Sequence, residues 1–239
     1  MRPVTVRNGR LYLTPRFSVS FQAVPVPSPG SDGANRSLGL LPVCRARDFA
    51  GVPYAWKSTG SLFVPLDDEL TFWLGLWTER GRPHALKVRA GALNAVSGRP
   101  WDDDELRADP QNYVVSPPQW AIDGVRHSNG TIRPFSPTRG LAVSHPPIEL
   151  TVFGPQPGIP MPEATPPRAP SVLHDVSTPS EPLTSTSGVI PDPWGPSAWT
   201  TGARRRAGMY VVSGAEYERL TGRARPRFRP HDRPVPRLP

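Results

Sequence analysis

Between Gly154 and Trp199 the sequence places twelve prolines in 46 residues, with Ser, Thr and Gly between them. Each proline removes a backbone N–H and fixes φ near −65°, so a run of this density builds neither a helix nor a sheet ladder. The stretch reads as an extended, polyproline-like linker. Proline accounts for 34 of the 239 residues, nearly three times the usual ~5%. A folded core therefore has to be assembled from the other parts of the chain.

Two regions can supply one. In RLYLTPRFSVSFQAV, residues 10 to 24, Leu11, Leu13, Phe17, Val19, Phe21 and Ala23 sit at odd positions, and Thr14, Arg16, Ser18, Ser20 and Gln22 lie between them. A period of two predicts strand with one wet face, which Pro15 splits. From Ser61 to Phe153 follow SLFVPL, LTFWLGLW, HALKVRA, ALNAV, NYVV, WAIDGV, TIRPF and IELTVF, separated by Gly, Pro and Asn turns. LTFWLGLW is apolar on both faces and suits a central strand, whereas HALKVRA turns Leu86, Val88 and Ala90 one way and Lys87 and Arg89 towards water.

After the proline-rich stretch AGMYVVSG reads as a strand. Ser213 to Leu220 reads as a short helix, with a Ser213/Glu216 capping box and Gly222 as its stop. The pattern predicts a mainly β fold, an antiparallel sandwich or barrel-like body with one or two short helices and long proline-rich irregular segments. It divides into N-terminal strands and a loop (1–60), a β-rich core domain (61–153), a proline-rich linker (154–199), a strand and short helix packing on the core (200–222), and a disordered Arg/Pro tail (223–239).

The net charge of +8 is unevenly placed. Thr200 to Pro239 carries ten arginines and three acids, which leaves about +1 for the first 199 residues. Such a tail is a candidate electrostatic footprint for an anionic membrane surface or for nucleic acid, the latter through Arg223, Arg225, Arg227 and Arg229. It is also what a codon bias would leave, since 26 of the 28 basic residues are arginine.

Cys44 is the only cysteine, so one chain holds neither a disulfide nor a thiolate zinc site. The N-terminus lacks the apolar core of a secretory signal, and Leu70 to Trp77 falls far short of the ~20 residues that span a bilayer. The expectation is a cytoplasmic protein without a membrane partner.

His84, His127, His145, His174 and His231 show no metal-pair spacing, and the sequence has no phosphate loop and no Gly-x-Ser-x-Gly elbow. No catalytic residue, cofactor or metal is expected. Asp102 with Glu105 reads as a capping box on a helical turn in preference to a cation site. The stretch VSPPQWAIDGVRHSNGTIRPF, residues 115 to 135, carries the most polar and aromatic groups. A two-residue Asn129-Gly130 turn would make it a hairpin pairing Thr131 with Ser128, Ile132 with His127 and Arg133 with Arg126. Asp123 and His127 would then stand roughly 13 Å apart at ~3.3 Å per residue, too far for an acid/base pair.

Trp120, Asp123, Arg126, His127 and Arg133 are thus candidate binding residues for an unidentified protein or small-molecule ligand, in a non-catalytic binding or assembly protein. One alternative is an enzyme on a small polar or sugar-like substrate, using Asp123 with a histidine from elsewhere in the fold. The other is nucleic-acid binding through the arginine tail.

RPHALKVRAGALNAVSGRPW (82–101), ADPQNYVVSPPQWAIDGV (108–125) and GTIRPF (130–135) resemble a bacterial family with no assigned activity. That family has Asn-Ala-Val-Ser-Gly-x-Pro-Trp, Pro-Gln-Asp-Tyr, Trp-Leu-Asp-Gly and Ile-Arg-Gln-Phe segments. DPWGPSAW (192–199) and MYVVSGAEYERLTG (209–222) are similar to its closing segments. The resemblance implies a compact body over 62–153 and a partner segment after 190, and transfers no site residue.

Overall fold

The computed structural model describes residues 4–26, 37–102, 105–127, 129–136, 147–161, 188–200 and 205–227. Along the chain lie β1 (Thr5–Arg7), β2 (Arg10–Thr14), β3 (Phe17–Pro25), β4 (Gly39–Leu40), β5 (Cys44–Arg45), α1 (Tyr54–Ser58) and β6 (Leu62–Pro65). Next come β7 (Leu70–Thr78), β8 (His84–Ala90), β9 (Leu93–Asn94), β10 (Val114–Ser116), β11 (Ala121–Ile122), β12 (Gly124–Arg126) and β13 (Ile132–Pro134). The last elements are β14 (Ile148–Phe153), β15 (Arg205–Val212) and α2 (Gly214–Thr221).

They form a mainly β sandwich and not a closed barrel. One sheet runs β1-β2-β3-β7-β11 with β4 beside β3; the other runs β10-β8-β14-β15-β6-β5 with β9 beside β8. β12 and β13 pair only with each other. Every pairing is antiparallel except β15 with β6, which is parallel.

The alternation in 10–24 becomes the centre of the first sheet. Leu11, Leu13, Phe17, Val19, Phe21 and Ala23 fill the core against Leu62, Val88, Leu150 and Met209 of the second. The ladder slips between Tyr12 and Thr14, ahead of Pro15. The even face is not wet as expected, for Ser18, Ser20 and Gln22 are 0, 1 and 4% exposed. Taller neighbours shelter them: Ser18 is flanked by Tyr12 and Trp77, and Ser20 by Arg10 and Gly75. The Trp73 ring lies over Gly75, 3.0 Å from where a Cβ would stand. Ser20 Oγ accepts from Gln22 Nε2 at 3.1 Å.

β15 enters the interior of the second sheet, between β14 and β6. Its Ala207, Met209 and Val211 lie in the same core as the strands before residue 154. The outer face of this sheet carries two smaller apolar clusters. At one end Trp56 of α1 stacks on Tyr210, 3.7 Å between centroids, beside Phe63, Tyr217 and Leu220. Ser213 Oγ accepts from Glu216 N and Gly222 closes α2 at φ +67°, as the sequence indicates. The Glu216 carboxylate turns to Arg219.

At the other end residues 188–200, inside the stretch read as a linker, are bound to the body. One oxygen of Asp192 accepts from Tyr113 Oη and from Trp199 Nε1. Gln111 and Gln119 act as surrogate backbone: Gln111 Nε2 donates to Ile190 O, and Asp192 N and Ile190 N donate to the Gln111 and Gln119 carbonyls at 2.9 Å each. Gln156 N donates to Ala198 O and Thr200 N to Gly154 O, both at 2.8 Å. The proline-rich stretch therefore leaves and returns at one neck.

Among the described residues no helix is long and apolar enough to cross a membrane.

His84 is buried at one end of β8, against the ring of Phe17. Its nitrogens meet Arg82 O at 3.0 Å and Thr14 Oγ1 at 3.4 Å. Burial is the main cause of a pKa lowered to about 4; the hydrogen bond to the Arg82 carbonyl opposes it, and the charges of Arg82 and Arg16 add to it. The unfolded chain takes up this proton near pH 6.5 and the folded chain only near 4, so stability is lost as pH falls through that window. The expected loss is on the order of 3 kcal/mol. Urea denaturation at pH 7, 6, 5 and 4 should show it, and His84→Gln should remove that part of the slope; identical slopes would show that His84 is not responsible.

Candidate functional site

Asn94 organises the region. Its side-chain carbonyl accepts from Val96 N at 2.9 Å and Ser97 N at 3.0 Å, and its amide donates to Asn112 O at 2.8 Å. This closes the loop 94–100 through an Asx turn. Gly98, at φ +70°, brings the loop so close to β12 that a Cβ there would stand 2.3 Å from Arg126 O. Arg126 N donates to Ala95 O at 2.9 Å.

WAIDGV does not run as one strand. Ala121 and Ile122 pair with β7, and the chain leaves at Asp123 to begin β12. Only glycine fits at 124, where a Cβ would meet Arg133 O at 2.1 Å. The hairpin exists, but its register differs by one residue from the expected one: Arg126 opposes Ile132 and Val125 opposes Arg133. The Asn129 side chain accepts from Thr131 N and Oγ1 at 3.1 and 2.7 Å. Among the described loop residues only Gly130, at φ +81°, takes a positive φ, and His127 N donates to Thr131 O, so the two-residue type I′ turn is not formed.

Asp123 and Arg126 line one small cleft of about 30 Å³ with Gln119, Ile132 and Val189, and no histidine is part of that lining. Trp120 lies beside it, half-buried; its carbonyl accepts from Leu76 N, and its indole N–H is buried without a partner among the described residues. His127 is half-exposed at the hairpin end and Arg133 is exposed. The fold thus brings together Asp123 and Arg126, and leaves His127 and Arg133 outside the cleft.

The other side of the loop holds a group that the sequence reading misplaced. Lys87, expected in water, is 1% exposed. Its Nζ donates to Asp102 Oδ1 at 2.6 Å and Asp102 O at 2.8 Å, and lies 4.8 Å from the centre of the Trp101 ring. Arg107 approaches the second carboxylate oxygen at 3.4 Å. Asp102 is therefore held between two cations, and Glu105 to Arg107 lie in no helix, so the capping box is not what uses it. A signal was present in the composition, since lysine appears only at 57 and 87 in a chain that otherwise chooses arginine. The lysine ammonium is a compact group with three donors, and two of them reach Asp102 beside the Trp101 ring.

Asn94, Ser97, Arg99, Asp102, Arg107 and Asn112 line a cleft of about 160 Å³ beside this pair. Drug-sized ligands need roughly 300–1,000 Å³. The Asn112 side chain is itself occupied, accepting from Arg107 N and donating to Glu105 O.

The arginine tail begins as part of the body. Arg223 lies over the Phe49 ring at 5.1 Å, and Arg225 bonds Glu218 through its N–H and Asp67 through its guanidinium. Arg227 is exposed, and Arg229 lies outside the described residues. Cys44 is buried, which pushes its thiol pKa up. Among the described residues no three His, Cys, Asp or Glu side chains cluster to hold a metal.

No family model, curated protein or solved structure matches the chain. Segments 82–101, 108–125 and 130–135 supply the loop, Lys87 and most of the hairpin, while Asp102 and Arg107 come from the stretch between the first two.

Asp102→Asn should destabilise the protein by about 3 kcal/mol, because Lys87 stays buried without its carboxylate. Adding Lys87→Met should recover most of that loss, as removal of both charges leaves a methionine under Trp101. Guanidinium denaturation of the single and double variants checks the coupling, and additive losses would mean that the pair is not a unit.

Proposed function

We propose that this is a cytoplasmic, non-catalytic binding or assembly protein whose contact surface is the β12–β13 hairpin together with the loop 94–100. The observation that carries the reading is how the polar side chains of the loop are engaged. Asn94 and Asn112 hold backbone groups, and the Asp102 carboxylate is shared between Lys87 and Arg107. A general acid or base needs a titratable group left open to substrate. His84, the buried histidine of the described residues, has Thr14 and Arg82 on its two nitrogens.

What does face outward is cationic: Arg99 on the loop and Arg133 on β13 are both exposed. The partner that fits is an acidic protein segment, with electrostatics setting encounter and register. A cytoplasmic setting agrees with a lone, buried cysteine, which makes no use of an oxidising compartment.

An array of acidic peptides probed with the full chain should give saturable binding. Arg99→Glu with Arg133→Glu should weaken it at least tenfold while leaving the thermal midpoint within a few degrees. A panel of nitrophenyl esters, phosphates and glycosides should show no turnover. Turnover that Asp123→Asn abolishes would instead establish the enzyme reading.

A further inference from the structure

On the outer face of the six-stranded sheet two arginines stand directly opposite each other with no carboxylate on either. β1 and β2 are joined by Asn8 and Gly9, at φ +48° and +69°, a two-residue turn whose register sets Arg7 against Arg10. Leu11 and Leu13 fill the inner face, so Arg10 and Tyr12 point outward. Like charges in this arrangement repel and lower hairpin stability. Neither guanidinium has an ion pair or hydrogen bond among the described residues. Arg10 is half-buried as well, and burial lowers its pKa from the ordinary arginine value.

The two cations are nonetheless positioned. The Arg7 guanidinium lies over the Tyr12 ring at 4.3 Å, and that of Arg10 over the Trp77 ring at 5.8 Å. A guanidinium supported on a ring keeps its in-plane N–H edges available to donate. Between the same two aromatic residues in the register is Ser18, whose hydroxyl is fully buried and has no hydrogen-bond partner among the described residues. A buried hydroxyl left unsatisfied is costly, and so is a desolvated guanidinium without a counter-charge. One oxyanion would remedy both.

We propose that Arg7 and Arg10, carried on Tyr12 and Trp77 and joined by Ser18, form a binding site for the phosphate monoester of a small molecule. Charge selects the class. A phosphate monoester carries about −1.5 to −2 at neutral pH and matches two guanidinium forks, while a carboxylate or phosphodiester offers one charge. If the arginines only guard the β1 edge against pairing with another chain, phosphate has no specific effect.

The test uses the full chain in low-salt, phosphate-free buffer, with calorimetric titration of inorganic phosphate and of glucose 6-phosphate. Sodium chloride at matched ionic strength and sodium acetate serve as controls. Saturable binding is expected for both phosphates, with the sugar phosphate at least as tight. Arg10→Lys, which keeps the charge and removes the fork, should weaken binding at least tenfold, Arg7→Gln similarly, and Ser18→Ala about threefold. Thermal melts without phosphate identify any variant that fails to fold, and Arg7→Gln should melt no lower than the parent because it relieves repulsion. A response reproduced by chloride or acetate, an unchanged affinity in Arg10→Lys, or failure of the sugar phosphate to bind would overturn the proposal.

Discussion

A sandwich cannot close over its core until its middle strands are in place, and one of them, β15, comes from beyond the proline-rich stretch. β14 finds a neighbour on one side in β8, but on its other side only β15 completes the ladder, and β6 reaches the rest of the sheet only through β15. Residues 205–212 therefore hold together two groups of strands that precede them by 50 residues or more. Their inward side chains, Ala207, Met209 and Val211, are shared property of the whole core. The parallel pairing with β6 follows from this, because a strand inserted after a long excursion is free to enter in either direction.

The second organising principle is the use of side chains as substitutes for backbone where proline or irregular loops cannot supply a ladder. Asn94 does this for the loop 94–100, Asn112 for residues 105–107, and Gln111 and Gln119 for residues 188–192. Each fixes a segment that a regular ladder does not hold, at positions where buried amides would otherwise go unpaired. The arrangement supports the hairpin from below, and Arg133 projects from it.

Much of the architecture was legible. Period two in 10–24, the apolar run 70–77 and the Ser213 cap lead directly to β3, β7 and α2. The wet faces were not. Ser18, Ser20 and Gln22 look solvent-facing by type, and they are buried because Trp73 and Trp77, four residues apart on the neighbouring strand, rise over them. Lys87 was misread for a similar reason, since its partner Asp102 is brought to it by a loop whose path the strand pattern does not encode. The hairpin register turned on whether Asn129 adopts a positive φ or bonds Thr131 through its side chain, a choice that Asn-Gly leaves open. Asp192 was visible only as part of a motif, although it joins Tyr113 to Trp199.

The neck at 154–156 and 198–200 changes what kind of object the proline-rich stretch is. Because both ends are fastened to each other and to the second sheet, the fold senses only that the loop closes and hardly how long it is. Loop closure entropy rises with the logarithm of length, so doubling such an excursion costs about 0.6 kcal/mol. Outside the fastened residues 188–200, the stretch is accordingly a place where the chain can gain or lose sequence while the sandwich stays the same.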